Sequence, residues 1–213
     1  MVVSVIVRGP EWFFGIDSLF EGFAAIALLL VTLFSFKAYR FTKDKRYRTF
    51  AIAFGLMTVS LLARAVTDFL VYIEGPVKVW VLIVGYMLYM GATLASLIML
   101  FALTMKASQR TPFIALLLAS LVLVMMSKSY RLSFHSLSVI LLAFIAYHFI
   151  RNYFNKKSLT ALLVAGAFTL LTLTHAAFIL DIVQQRFFVV GHLLHVAAFG
   201  LLLIALAKVL RNK

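Results

Sequence analysis

The chain has 213 residues, of which 64% are hydrophobic and 13% charged, and it carries a formal net charge of +13. A soluble domain has about 45–50% apolar and about 25% charged residues, and a chain this short cannot hide so much apolar side chain in one core. The composition therefore excludes a soluble globule and a disordered chain, and it predicts an integral membrane protein.

Seven apolar stretches are long enough, some only with their flanks, for the roughly 20 residues that a spanning helix needs. They are continuous runs and not the alternating segments of a β-barrel. The predicted fold class is therefore an all-α polytopic bundle, with residues 1–213 as a single transmembrane domain. The fourth and fifth stretches are short and lie close together. The predicted spans are 17–38, 49–73, 78–104, 112–127, 132–150, 159–181 and 188–208.

The basic residues indicate the orientation of these spans. Lys and Arg concentrate in the first, third and fifth connections and in the C-terminal tail, and the largest cluster is Lys37–Arg48. By the positive-inside rule this predicts a multi-pass cell-membrane protein with its N-terminus outside and its C-terminus in the cytoplasm. We expect the Lys37–Arg48 cluster to attract anionic lipid at the cytoplasmic face. We expect no nucleic-acid partner, because the basic residues lie in short connections between the spans, where they set the orientation of the helices.

An internal repeat is visible in the helical stretches. When the second and sixth stretches are aligned, Arg64 falls on His175, and residues 84–89 of the third stretch align with 190–195 of the seventh. Two units of three helices in the same direction, joined by one linker helix, would place a site between the halves. The two predicted repeats are 17–106 and 128–213.

Ionisable groups inside a bilayer are costly, so they are candidates for function. At about 1.5 Å per helical residue, most of the acids and three histidines fall in one layer of the outer half, with His135 at its edge. Arg64 and Asp68 are four residues apart and can pair on one helix face, whereas Asp17 is expected to be solvated at the interface. The predicted ligand-binding residues are Glu21, Arg64, Asp68, Tyr86 and Tyr89.

Three histidines in this layer are candidate metal ligands. His192 and His195 share a helix face, and His175 can approach them from the sixth helix. Imidazoles with a carboxylate or water suit zinc or another divalent metal, and a bis-histidine haem is the less favoured alternative. A third interpretation is that each imidazole forms a hydrogen bond within a helix interface.

The seven spans, the external N-terminus and the three-one-three layout resemble small seven-helix prokaryotic membrane proteins, including the sensor-type modules that precede signalling domains. The resemblance covers the whole span pattern and implies no activity. The leading hypothesis is a binding protein for a small ligand or metal ion, acting in sensing or transport. The alternatives are a metal- or haem-dependent membrane enzyme and a structural subunit of an assembly, with a partner protein or a second copy.

Overall fold

The computed structural model describes residues 9–13, 15–74, 79–105 and 110–211, and the regular structure within them is helical. A short 3₁₀ turn at Glu11–Phe13 precedes the long helices. Residue 78, where the third predicted span starts, and residues 106 and 212–213, at the ends of the predicted repeats, lie outside these ranges. The helices are α1 Ile16–Thr42, α2 Lys45–Glu74, α3 Val79–Thr104, α4 Arg110–Met126, α5 Tyr130–Lys156, α6 Leu159–Leu180 and α7 Arg186–Arg211.

The helical membrane architecture is confirmed. Six described helices, α1 to α3 and α5 to α7, are long and apolar enough to cross a bilayer. The fourth, α4, has 17 residues, and at about 1.5 Å per residue it falls short of a hydrocarbon core about 30 Å thick. The chain is therefore a multi-pass helical bundle with at least six candidate spans.

Six of the helices form a closed ring. Going round it, α1 packs against α2, α2 against α3, α3 against α5, α5 against α6, α6 against α7, and α7 against α1. Helix α4 lies at the edge of this ring on α3 and α5, and its side chains Leu118, Val122 and Met126 are exposed. The ring places α1, α2 and α7 around a common interior, which the next section describes.

Two lysines make the tight connections that keep neighbouring helices antiparallel. Lys43 adopts a left-handed conformation with φ of 57°, and its N–H donates to the carbonyl of Tyr39 at 2.8 Å. Lys157 does the same after α5, with φ of 48° and a 2.7 Å bond to the carbonyl of Tyr153. Such caps satisfy a terminal carbonyl and allow the next helix to begin within two residues.

The buried charges are confined to one end of the bundle, at which α1, α3, α5 and α7 begin and α2 and α6 end. We call it the polar end. Towards the opposite end, the described core is mostly apolar, with side chains such as Leu28, Leu97, Ile145, Phe168 and Leu202, and its buried polar side chains are hydroxyls such as that of Ser96. The buried acidic, basic and imidazole side chains of the described residues are Asp17, Glu21, Arg64, Asp68, His135, His175, Asp181, His192 and His195.

Candidate functional site

The centre of the polar end is an ion pair between α1 and α2. Glu21 has no exposed surface and Arg64 is 7% exposed, and Glu21 Oε1 lies 2.8 Å from Arg64 Nε. Glu21 lies on the same α1 face as Ala24, Ala25 and Leu28, which are also buried, so helical periodicity points its carboxylate at the bundle interior. Two desolvated charges of this kind need each other, because either one alone would be an uncompensated buried charge.

Arg64 also contacts three other side chains, one on its own helix, one on α3 and one on α6. Its Nε lies 3.4 Å from Asp68 Oδ2 on the same helix, and its Nη1 donates to the hydroxyl of Tyr89 on α3 at 3.2 Å. Its guanidinium carbon is 5.0 Å from the ring centre of Tyr89 and 5.4 Å from that of Phe178 on α6, within the range of cation–π attraction. The Arg64–Asp68 pairing read from the sequence is therefore present, but Glu21 lies closer.

Besides Glu21, two carboxylates lie in the surroundings of Arg64, those of Asp68 and Asp17. Asp68 accepts a hydrogen bond from the hydroxyl of Tyr86 at 2.7 Å, which links α2 to α3. Asp17 is buried, with 4% exposure, and its Oδ1 accepts the backbone N–H groups of Gly15 and Ser18, each at 2.9 Å. The expectation that Asp17 is solvated was wrong, because these bonds fold its carboxylate back onto the start of α1.

His192 brings α7 into the same site. It has no exposed surface, its Nδ1 lies 2.9 Å from the carbonyl oxygen of Phe188, and its Nε2 lies 3.3 Å from Glu21 Oε1. A carbonyl oxygen can only accept, so Nδ1 must carry the proton in this contact. In a neutral imidazole, Nε2 is then a lone-pair acceptor that faces a carboxylate oxygen.

We call Asp17, Glu21, Arg64, Asp68 and His192 the Glu21 cluster. Besides the contacts above, Asp17 interacts electrostatically with Asp68, Arg64 and His192. Within the part of the chain that the structure describes, neither oxygen of Glu21 nor Nε2 of His192 has a hydrogen bond of good geometry. The cluster holds three carboxyl groups and one guanidinium, so it reaches neutrality only if it binds additional positive charge.

The predicted metal ligands do not form one group. His192 lies beside Glu21, whereas His175 pairs with His135, their Nδ1 atoms 3.0 Å apart. His195 and His175 border a small cavity together with Tyr89 and Thr93. No group of three or more His, Cys, Asp or Glu side chains among the described residues is arranged to hold a metal ion. Ligation of zinc or haem by His175, His192 and His195 stays a prediction.

The five residues predicted to bind a ligand do come together. Glu21, Arg64, Asp68, Tyr86 and Tyr89 are joined by the contacts given above. Their role in binding a ligand stays a prediction. The contact between Glu21 and Arg64 was not predicted from the sequence, although both residues had been placed in the same outer layer of the bundle.

No protein-family model matches the chain, and no curated protein or solved structure shows significant similarity to it.

Aromatic side chains separate the Glu21 cluster from the surface of the polar end. The ring of Phe13 packs edge-on to His192 with 5.5 Å between centroids, and that of Phe188 lies 4.4 Å away. Next to these rings, a surface cleft of about 700 Å³ is lined by the segment 183–186 and by Trp12. Phe13 is buried and packs on both His192 and the exposed Trp12, so it covers His192 at this end of the bundle.

Proposed function

We propose that this multi-pass membrane protein binds a proton in the Glu21 cluster and uses proton binding in sensing. The observation that carries the proposal is the 3.3 Å approach of His192 Nε2 to Glu21 Oε1, while His192 Nδ1 is committed to the carbonyl of Phe188. Two lone-pair acceptors repel each other at this distance in a buried site. A proton on either atom turns their repulsion into a hydrogen bond or an ion pair.

The charges around Glu21 support the same conclusion. The groups that face it are Asp17 from its own helix, Arg64 and Asp68 from α2, and His192 from α7, while the hydroxyls of Tyr86 and Tyr89 on α3 contact Asp68 and Arg64. One guanidinium cannot neutralise three buried carboxylates. Like charges that share a site favour proton uptake, and intramembrane carboxyl and imidazole groups commonly act as proton carriers.

The distribution of polar groups favours sensing over transport. Protons crossing the bundle would need ionisable groups or water along its length, but towards the end opposite the polar end the described core has no buried acidic, basic or imidazole side chain, and Leu28, Leu97 and Ile145 are fully buried. Binding from one side alone suits a receptor. Its output would pass to a partner protein or a second copy.

The orientation of the site belongs to the same proposal. We place the polar end outside, with the N-terminus external and the C-terminus cytoplasmic, because the basic segment Lys37–Arg48 lies at the opposite end. There it would bind anionic lipid. In this arrangement α4 spans with its flanks as the seventh helix, and the cleft beside Trp12 and Arg186 opens to the exterior.

A repeat of α1–α3 in α5–α7, within 17–106 and 128–213, is also proposed. Helices α1 and α5 each have 27 residues and each end at a left-handed lysine, and α3 and α7 each have 26 residues. These equal lengths support the repeat, whereas the third pair differs, with 30 residues in α2 and 22 in α6. It would relate Arg64 to His175 and so make the two halves chemically different versions of one unit.

Proton uptake by the purified protein in lipid nanodiscs tests the function. When the pH is lowered from about 8 to about 5, we expect the wild type to take up one proton more than Glu21→Gln. Glu11→Gln is the matched control, because Glu11 is an exposed acid at the same end of the bundle. Equal uptake by the wild type and Glu21→Gln would show that the cluster is a structural ion network only.

A further inference from the structure

A second buried pair of titratable groups lies in the other half of the ring. His135 on α5 and His175 on α6 are 3% and 5% exposed, and their Nδ1 atoms are 3.0 Å apart. This is hydrogen-bond distance, so one ring donates and the other accepts. The contact fixes the two rings in opposite tautomers: the donor has its proton on Nδ1, and the acceptor, when neutral, has its proton on Nε2.

Phenylalanine rings pack closely around the pair. The ring of Phe134 lies 4.9 Å from that of His135 and 5.8 Å from that of His175, and the ring of Phe178 lies 5.3 Å from that of His135. With two phenylalanine rings packed at these distances, the imidazoles have little freedom to rotate apart. The Nδ1–Nδ1 contact is therefore held by packing and does not depend on solvent.

A cavity adjoins one side of the pair. It has a volume of about 10 Å³, its polar lining residues are Tyr89, Thr93, His175 and His195, and apolar side chains such as Leu97 close it. This volume is at the lower limit for one water molecule, and a buried water needs two to four polar partners. Two imidazoles and two hydroxyls on three helices, α3, α6 and α7, supply that number.

The geometry points to His135 and His175 as a proton relay that opens on a single water bound between His175 and His195. The charged and titratable groups around the relay come from every helix packed against it. They are Arg131 on α5, Asp181 at the end of α6, Arg64 on α2, Tyr89 on α3 and His195 on α7. Arg131 and Asp181 form a partly buried ion pair that joins α5 to the end of α6.

The relay step conserves protons. A proton arrives at Nε2 of the donor ring, the donor's Nδ1 proton moves across the 3.0 Å contact to Nδ1 of the acceptor, and the acceptor releases its Nε2 proton. One proton enters and one leaves. Both rings end neutral with their tautomers exchanged, and passage in the opposite direction restores them. No redox partner or cofactor is needed.

This inference does not depend on the Glu21 proposal, because it uses different residues and a different measurement. Solid-state NMR of the full chain in lipid bilayers, with ¹⁵N-labelled histidine, observes the ring nitrogens directly. We expect a nitrogen–nitrogen coupling between Nδ1 of His135 and Nδ1 of His175, exchange of both rings between two tautomers, and a water contact shared by His175 and His195. His148→Gln should leave all three signals unchanged, since His148 is exposed.

Two results would overturn the relay. The absence of the nitrogen–nitrogen coupling would show that the rings do not share a proton. A coupling with a single fixed tautomer across the range from about pH 5 to about pH 8 would show a structural hydrogen bond that moves no proton. Both readings come from the wild type, so they do not depend on whether His135→Phe folds. If it folds, that variant should slow hydrogen exchange at His175 by about a hundredfold, the lower range for a lost acid–base partner.

Discussion

Arg64 of α2 lies between two carboxylates, with its Nε 2.8 Å from Glu21 and 3.4 Å from Asp68. The nearer partner is on another helix, so the guanidinium holds α1 against α2 inside the bundle. The farther partner is held in turn by Tyr86 of α3. Three helices therefore depend on one positive charge, and the first prediction concerns its removal.

Replacing Arg64 by methionine keeps the length of the side chain and removes its charge. We expect Arg64→Met to lower the free energy of unfolding by about 3–5 kcal/mol, because Glu21 and Asp68 are left as uncompensated buried charges. Unfolding in a detergent titration measures the change. Arg46→Gln is the control, since Arg46 pairs with Asp44 at the surface and its loss should lower stability far less than the loss of Arg64. Equal stability of wild type and Arg64→Met would contradict the pairing.

The close approach of α7 to α6 gives a second prediction. A Cβ added at Gly191 would lie 2.5 Å from the ring of Phe178, whereas one added at Gly200, on the same helix, meets nothing within 4 Å. Phe178 also packs on His192 and Arg64. Gly191→Ala should destabilise the protein by about 1–3 kcal/mol through overpacking.

Gly200→Ala is the matched substitution, because it adds the same methyl group to open space. It should leave stability unchanged or raise it slightly, since alanine favours the helix over glycine. The same thermal melting experiment in nanodiscs measures both variants. If both lower stability equally, the contact between Gly191 and Phe178 is not the cause.

The fold was largely predictable from the sequence because long apolar runs leave little choice in a membrane. The depths of Glu21, Arg64 and His192 were also predictable, because depth follows from helical rise. What could not be read was which side chains meet across helices, since this depends on the order of helices around the ring. His175 therefore shared a depth with His192 and His195 but pairs with His135.

A third prediction concerns the connection between α1 and α2, which lies outside the spans. Hydrogen bonds from Arg46 hold the pKa of Asp44 below its ordinary value of 3.8. Because this pKa is lower in the folded state, the contribution of Asp44 to stability is complete above 3.8 and is lost as the pH falls through the folded value. In a ¹³C NMR titration, the midpoint of Asp44 should return towards 3.8 in Arg46→Gln. A midpoint that does not differ between wild type and variant would contradict the assignment.

The orientation can be tested with single cysteines, because the chain contains none of its own. We expect Glu11→Cys to react with an impermeant thiol reagent from outside intact cells and Lys156→Cys to react only after permeabilisation. Both positions are exposed, so failure to react reflects sidedness and not burial. Labelling of both from the same side would contradict the external polar end.

Infrared difference spectroscopy of Glu21 tests the central claim most directly, because a protonated carboxyl has a C=O stretch that a carboxylate lacks. As the pH is lowered from about 8 to about 5, the wild type in nanodiscs should gain such a band from a buried carboxyl. Glu21→Gln should lose it, whereas Glu11→Gln and Asp44→Asn, which alter exposed acids, should keep it. A band that persists in Glu21→Gln, or no band in the wild type, would contradict proton binding at Glu21.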